Sequence, residues 1–71
     1  MLFITRITLD EDGELQKRTR LPGFSRMIED AHRKQKEAAS VYPQHGYDDE
    51  HGYWWAIDQA GVKYRFVISE P

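Results

Sequence analysis

Between Leu2 and Leu9, Phe3, Thr5, Ile7 and Leu9 alternate with Ile4, Arg6 and Thr8, the period of two expected of a strand with one face buried. The β-branched content of the segment favours the same conformation. Asp10-Glu11-Asp12-Gly13-Glu14 then supplies acidic turn formers and a glycine free to take a positive φ. Leu15 to Leu21 resumes an extended pattern, with Leu15, Thr19 and Leu21 on one face. Together these segments predict a hairpin. Arg18 and Arg20 share the opposite face and Lys17 falls on the apolar one, which suits an edge strand kept from pairing with other chains by its charge. The alternative is a chain in which residues 15–21 are loop.

Pro22-Gly23 ends that pattern, and the period changes. Phe24, Met27, Ile28, Ala31, Gln35 and Ala38 recur at spacings of three and four, while Arg26, Glu29, Asp30, Arg33, Lys34, Lys36 and Glu37 fall on the other side, predicting one amphipathic helix. Ser25 is placed to act as its N-cap. Asp30 with Lys34 and Glu29 with Arg33 stand at i,i+4, each pair contributing a few tenths of a kcal/mol. Tyr42-Pro43 closes the element, because the residue before proline is pushed out of helical geometry.

Gln44 to Gly52 reads as a loop or a short irregular edge. Beyond it lies the strongest β pattern in the chain: Tyr53-Trp54-Trp55-Ala56-Ile57, a turn at Asp58-Gln59-Ala60-Gly61, and then Val62, Tyr64, Phe66 and Ile68 alternating with Lys63, Arg65 and Ser69. Val67 is the one apolar residue on the polar side. The predicted order is ββαββ, or βαββ if residues 15–21 are loop. Either is an α+β domain, residues 1–71, with an antiparallel sheet and one helix packed on one face.

Size and charge narrow the functions. At 71 residues with no Cys, the chain has a thin core and neither a disulfide nor a thiolate metal site to reinforce it. No apolar run approaches a membrane span, and Met1-Leu2-Phe3-Ile4 is followed within two residues by Arg6, so the expectation is a soluble, unprocessed chain. The formal net charge of -2 conceals an asymmetry: residues 1–36 hold eight bases and six acids, residues 37–71 two bases and six acids.

Little in the chain suggests chemistry. His45-Gly46-Tyr47 and His51-Gly52-Tyr53 flank Asp48-Asp49-Glu50, but their spacing matches no dense-ligand motif, so no metal and no cofactor is expected. Ser25, Ser40 and Ser69 lack a nucleophile elbow, the glycines are scattered singly, and no catalytic residue is assigned. The expectation is a protein without enzymatic activity. Lys17, Arg18, Arg20, Arg26, Arg33, Lys34 and Lys36 form a basic region, yet base stacking needs cations and aromatics on one exposed face. The aromatic hairpin belongs to the acidic half and is wanted for the core, so direct nucleic-acid binding is the secondary reading.

Trp54 and Trp55 are the sharpest single feature. Adjacent strand residues point to opposite faces, so in a sheet covered by one helix one indole is buried and the other lies on the bare face. A spare tryptophan beside an acidic loop fits a protein-interface anchor. The candidate binding residues are therefore Tyr47, Asp48, Asp49, Glu50 and Trp54, with Arg18, Arg20, Arg33 and Lys34 as the alternative basic face. A homodimer through a sheet edge or the spare tryptophan is a further class.

A strand at the extreme N-terminus, Phe3 to Leu9, and a closing aromatic hairpin, Tyr53 to Ile68, around one helix give a profile that resembles small phage-encoded inhibitor proteins of the anti-CRISPR kind acting on type I surveillance complexes. The likeness is architectural. It implies a stoichiometric inhibitor in the cytoplasm of a bacterial host, binding a Cas subunit and blocking target DNA binding or nuclease recruitment. Asp48, Asp49 and Glu50 would then stand where phosphates lie, with Trp54 or Tyr47 as the apolar anchor.

Overall fold

The computed structural model describes residues 1–70. Five strands, β1 (Phe3–Leu9), β2 (Leu15–Arg20), β3 (Gln44–Asp48), β4 (Tyr53–Ile57) and β5 (Lys63–Ser69), form one antiparallel sheet in the order β2-β1-β5-β4-β3. One helix, α1 (Ile28–Ser40), packs on one side of it, touching every strand except β2. The predicted α+β class and the hairpin strand at residues 15–20 are both present. The segment read as a loop or short irregular edge supplies β3, a five-residue edge strand.

The three hairpin turns share one local design. Each opens on an aspartate and closes through a glycine at positive φ: Asp10 with Gly13 (φ 80°), Asp48 with Gly52 (φ 76°), Asp58 with Gly61 (φ 83°). The aspartate carboxylate accepts main-chain N–H groups that the turn would otherwise leave unpaired. Asp10 takes those of Asp12 and Glu14, both at 2.9 Å, and Asp58 those of Ala60 at 2.9 Å and Val62 at 3.0 Å. The Val62 N–H, then burial acting in the opposite sense, then the Tyr64 hydroxyl, leave the Asp58 carboxyl below its usual pKa. Asp48 is lowered chiefly by the His51 side chain, and Asp30 chiefly by the Ser25 hydroxyl. A carboxyl depressed in the folded state stabilises above its unfolded pKa, and that stabilisation is lost as pH falls through the folded value. The urea midpoint should therefore drop below about pH 4, and Asp58→Asn should show a shallower drop across the same acid range.

The core lies between the helix and the centre of the sheet. Ile4, Ala31, Ala39, Ala56 and Phe66 are buried together, with Leu2, Leu21, Ala38, Tyr42, Trp54, Tyr64 and Ile68 packed around them. The helix presents Ala31, Gln35 and Ala39 to the sheet, one residue per turn, and the small side chains let it sit close. This corrects the predicted stripe, because Phe24, Met27 and Ile28 stand 45%, 65% and 48% exposed. The cause is the helix start. Ser25 is not the N-cap but is buried in an antiparallel bridge to Leu2, with Leu2 N donating to Ser25 O at 2.7 Å and Ser25 N to Leu2 O at 2.8 Å. The helix consequently begins after Met27, which has no side-chain cap.

Gln35 is fully buried, and its Nε2 donates to the Phe66 carbonyl at 2.5 Å. A polar group in this position ties the helix to the central strand rather than merely filling space. Gln35→Leu keeps the volume but leaves that carbonyl without its side-chain donor, and should cost about 1–3 kcal/mol in urea-monitored unfolding.

Candidate functional site

Strand alternation and register divide the sheet into two faces with different chemistry. Ile4 opposite Ile68, Arg6 between Thr19 and Phe66, and Phe66 opposite Trp54 place Ile4, Arg6, Tyr64, Phe66, Ile68, Trp54 and Ala56 under the helix. Phe3, Thr5, Ile7 and Leu9 therefore turn to the bare side, so β1 directs its more apolar set away from the core. Its helix side holds Arg6, whose Nη1 donates to the Tyr42 hydroxyl at 3.2 Å and whose guanidinium lies 5.3 Å from the Tyr64 ring centroid.

On the uncovered face one rank crosses all five strands, Arg18-Ile7-Arg65-Trp55-Gly46, about 19 Å wide at the usual strand spacing. The neighbouring rank is Arg20-Thr5-Val67 on one side and Tyr53-Asp48 on the other. A third is Leu15-Leu9-Lys63-Ile57-Gln44. Leu15 joins this face because a β-bulge between Lys17 and Leu15 shifts the register, which corrects its predicted grouping with Thr19 and Leu21.

The face thus combines an apolar floor, Ile7, Leu9, Ile57 and Val67, with Phe3, Tyr53 and Trp55 and with four cations, Arg18, Arg20, Lys63 and Arg65. Two arginines lie over its rings: Arg20 is 4.2 Å from the Phe3 centroid and Arg65 5.1 Å from that of Tyr53. Asp48 is the one acid at its paired strand positions, and its carboxylate is already engaged, accepting from His51 N and lying against His51 Nδ1, each at 3.0 Å.

The sheet separates the candidate residues named from sequence. Tyr47 and Trp54 lie on the helix side, their rings 5.6 Å apart, with the Lys36 ammonium 5.9 Å from the Trp54 ring. Asp48 points to the other side, and Asp49 and Glu50 sit at the exposed turn. The expected single acidic-aromatic patch is not formed. The half-buried Trp54 packs at the margin of the core, and Trp55 takes the bare face.

The alternative basic face divides likewise. Arg18 and Arg20 belong to the uncovered sheet face, whereas Arg33 and Lys34 lie on the helix. There Arg33 bonds Asp30 and Glu37, and Lys34 donates to the Phe24 carbonyl at 2.7 Å and pairs with Asp30 at 3.4 Å. The predicted pairing of Arg33 with Glu29 is replaced by these contacts.

The sequence reading missed Ile7, Leu9, Trp55, Lys63 and Arg65 as one surface. The signal available was parity: Tyr64, Phe66 and Ile68 as core residues put Lys63, Arg65 and Val67 opposite. Among the described residues no three His, Asp or Glu side chains converge as metal ligands, and no helix is long and apolar enough to cross a membrane. No protein-family model, no curated protein and no solved structure matches the chain.

Proposed function

We propose that the protein is a non-catalytic binding module that engages a protein partner through the uncovered face of its sheet. The observation that carries this reading is the orientation of β1, whose apolar residues Phe3, Ile7 and Leu9 face away from the helix and join Trp55, Ile57 and Val67 in one floor. Leu9 is already buried within this floor and the others are half-buried, so a partner seated on the face would complete their removal from water. The flanking arginines and lysine favour a partner surface that is acidic around an apolar centre, since charge complementarity steers association and fixes register. The aliphatic part of the floor suits protein side chains, whereas bases stack on aromatic planes.

Within that class, we propose a stoichiometric inhibitor of a type I CRISPR surveillance complex, a reading supported by the architecture: a small domain with an N-terminal strand, one helix and a closing aromatic hairpin. Asp48 is held by His51, which leaves phosphate mimicry to Asp49 and Glu50 alone. Contact between the cationic face and an acidic Cas surface is the polarity the geometry favours.

The test is a titration of purified type I surveillance complex with the protein, read by target-DNA retention in gel shifts and by direct binding. Inhibition at about one equivalent is expected, lost in Arg18→Glu/Arg65→Glu and retained in Lys36→Glu on the helix side. Tight binding of the free protein to single-stranded oligonucleotides near 0.1 M salt would instead support the nucleic-acid reading. The assignment of the interface to the uncovered face fails if the double reversal leaves partner binding unchanged.

A further inference from the structure

One part of the uncovered face has the form of a receptor. Leu9, Tyr53, Trp55, Ile57, Lys63 and Arg65 border a shallow basin of about 330 Å³ at the β5–β4 side of the sheet. Its floor is apolar, and two cations stand at its rim. Resting on the reading of this face as a protein interface, we infer that the basin receives an apolar side chain flanked by carboxylates, carried on an acidic segment of the partner.

Gly46 gives the basin a fixed wall. It is not among the glycines at positive φ, so a turn conformation does not explain it. Space does: a Cβ at this position would stand 2.7 Å from Trp55 Cζ2, 2.9 Å from Cε2 and 3.0 Å from Nε1. The indole therefore occupies the room that any other residue in β3 would fill, and its position is set before a partner arrives. An anchor already in place avoids the ordering cost that a mobile side chain would incur on binding.

Charge selects the occupant. Lys63 is exposed beside the basin, and Arg65 lies between Ile7 and Trp55 in the central rank. The acids that flank the basin are each engaged: Asp48 lies against His51, Asp58 accepts from the Ala60 and Val62 N–H groups and the Tyr64 hydroxyl, and Asp10 accepts from the Asp12 and Glu14 N–H groups. A second copy of this chain docked face to face about a two-fold axis through the basin would set these cations against their own counterparts, which opposes self-association in that pose.

The two indole N–H resonances make the test internally controlled, because Trp54 and Trp55 report opposite faces. The 71-residue chain, labelled with nitrogen-15, is titrated with a random glutamate–tyrosine copolymer, with polyglutamate and with oligo-dT. The copolymer should move the Trp55 indole N–H and the amides of Ile57, Lys63 and Arg65, leave the Trp54 indole N–H in place, and bind about tenfold more weakly when salt rises from about 0.05 to 0.3 M. Arg65→Glu, with its circular dichroism unchanged, should weaken binding about tenfold, and Gly46→Ala should do so by displacing the indole.

Polyglutamate binding as tightly as the copolymer, oligo-dT binding more tightly than either, or shifts centred on Trp54, Tyr47 and Lys36 would each overturn the inference. Failure of the wider interface reading is distinguishable. If the copolymer leaves the basin untouched while a bound partner protein protects the Ile7, Trp55 and Arg65 amides from exchange, only the acidic-segment chemistry fails. If neither probe nor partner touches the face, both readings fail.

Discussion

Phe66→Ala should leave the chain largely unfolded at 25 °C. Phe66 is 1% exposed, sits opposite Arg6 on β1 and Trp54 on β4, and has the Tyr42 ring centroid at 5.9 Å. Apart from Ile4, the rest of the cluster around it consists of Ala31, Ala39 and Ala56. These residues already have the smallest apolar side chain, so they offer little with which to refill the space a lost phenyl ring leaves. Truncating a buried phenylalanine costs about 3–5 kcal/mol, and a core of this size supplies about the same amount. Near-UV circular dichroism and a urea titration should therefore show loss of fixed tertiary packing and no cooperative transition. Phe66→Leu, which keeps most of the volume, should remain folded with a loss of about 1–1.5 kcal/mol. An alanine variant that unfolds cooperatively with less than about 1 kcal/mol lost would show that the core is centred elsewhere.

The tryptophan pair should separate stability from binding. Trp54 packs against the core and beside Tyr47 and Lys36, so Trp54→Ala should cost about 2 kcal/mol of stability. Partner affinity should be nearly unchanged once the variant is compared at equal folded fraction. Trp55 contributes to the bare face instead, in the same rank as Arg65 and Ile7. Trp55→Ala should weaken partner binding by about 2 kcal/mol or more, a loss of roughly thirtyfold, with the smaller effect on the urea midpoint. Isothermal titration on both variants, paired with urea unfolding, gives the comparison. Equal losses of affinity would mean that the interface wraps around the β3–β4 edge and is not confined to the uncovered face.

How far the sequence carries this site depends on which residues are considered. The helix, the turns opened by Asp10 and Asp58, and the side of β5 bearing Tyr64, Phe66 and Ile68 are legible because each follows from a short-range rule: a period, a turn chemistry, an aromatic alternation. The β3 strand is less legible, since Gln44-His45-Gly46-Tyr47-Asp48 has neither β-branched residues nor apolar alternation. It is a strand because Trp55 and the β4 backbone offer it a partner. Ser25 misleads for a related reason. Its sequence context suits a cap, but its bridge to Leu2, distant in the chain, takes precedence.

The residues themselves determined that one helix would lie on one antiparallel sheet, that the two indoles would face opposite ways, and that charge would divide unevenly along the chain. Only the tertiary structure decided which indole was which. A strand carries two faces with no label for inside, and the choice rests on register with neighbours far away in sequence. Pairing Ile4 with Ile68 and Arg6 with Phe66 put the weaker apolar side of β1 beneath the helix and left Phe3, Ile7 and Leu9 beside Trp55. The same pairing brought Arg18 and Arg20 from the basic half of the chain alongside Lys63 and Arg65 from the acidic half. Half of the cations on this apolar-floored face thus come from a part of the chain whose charge total pointed the other way.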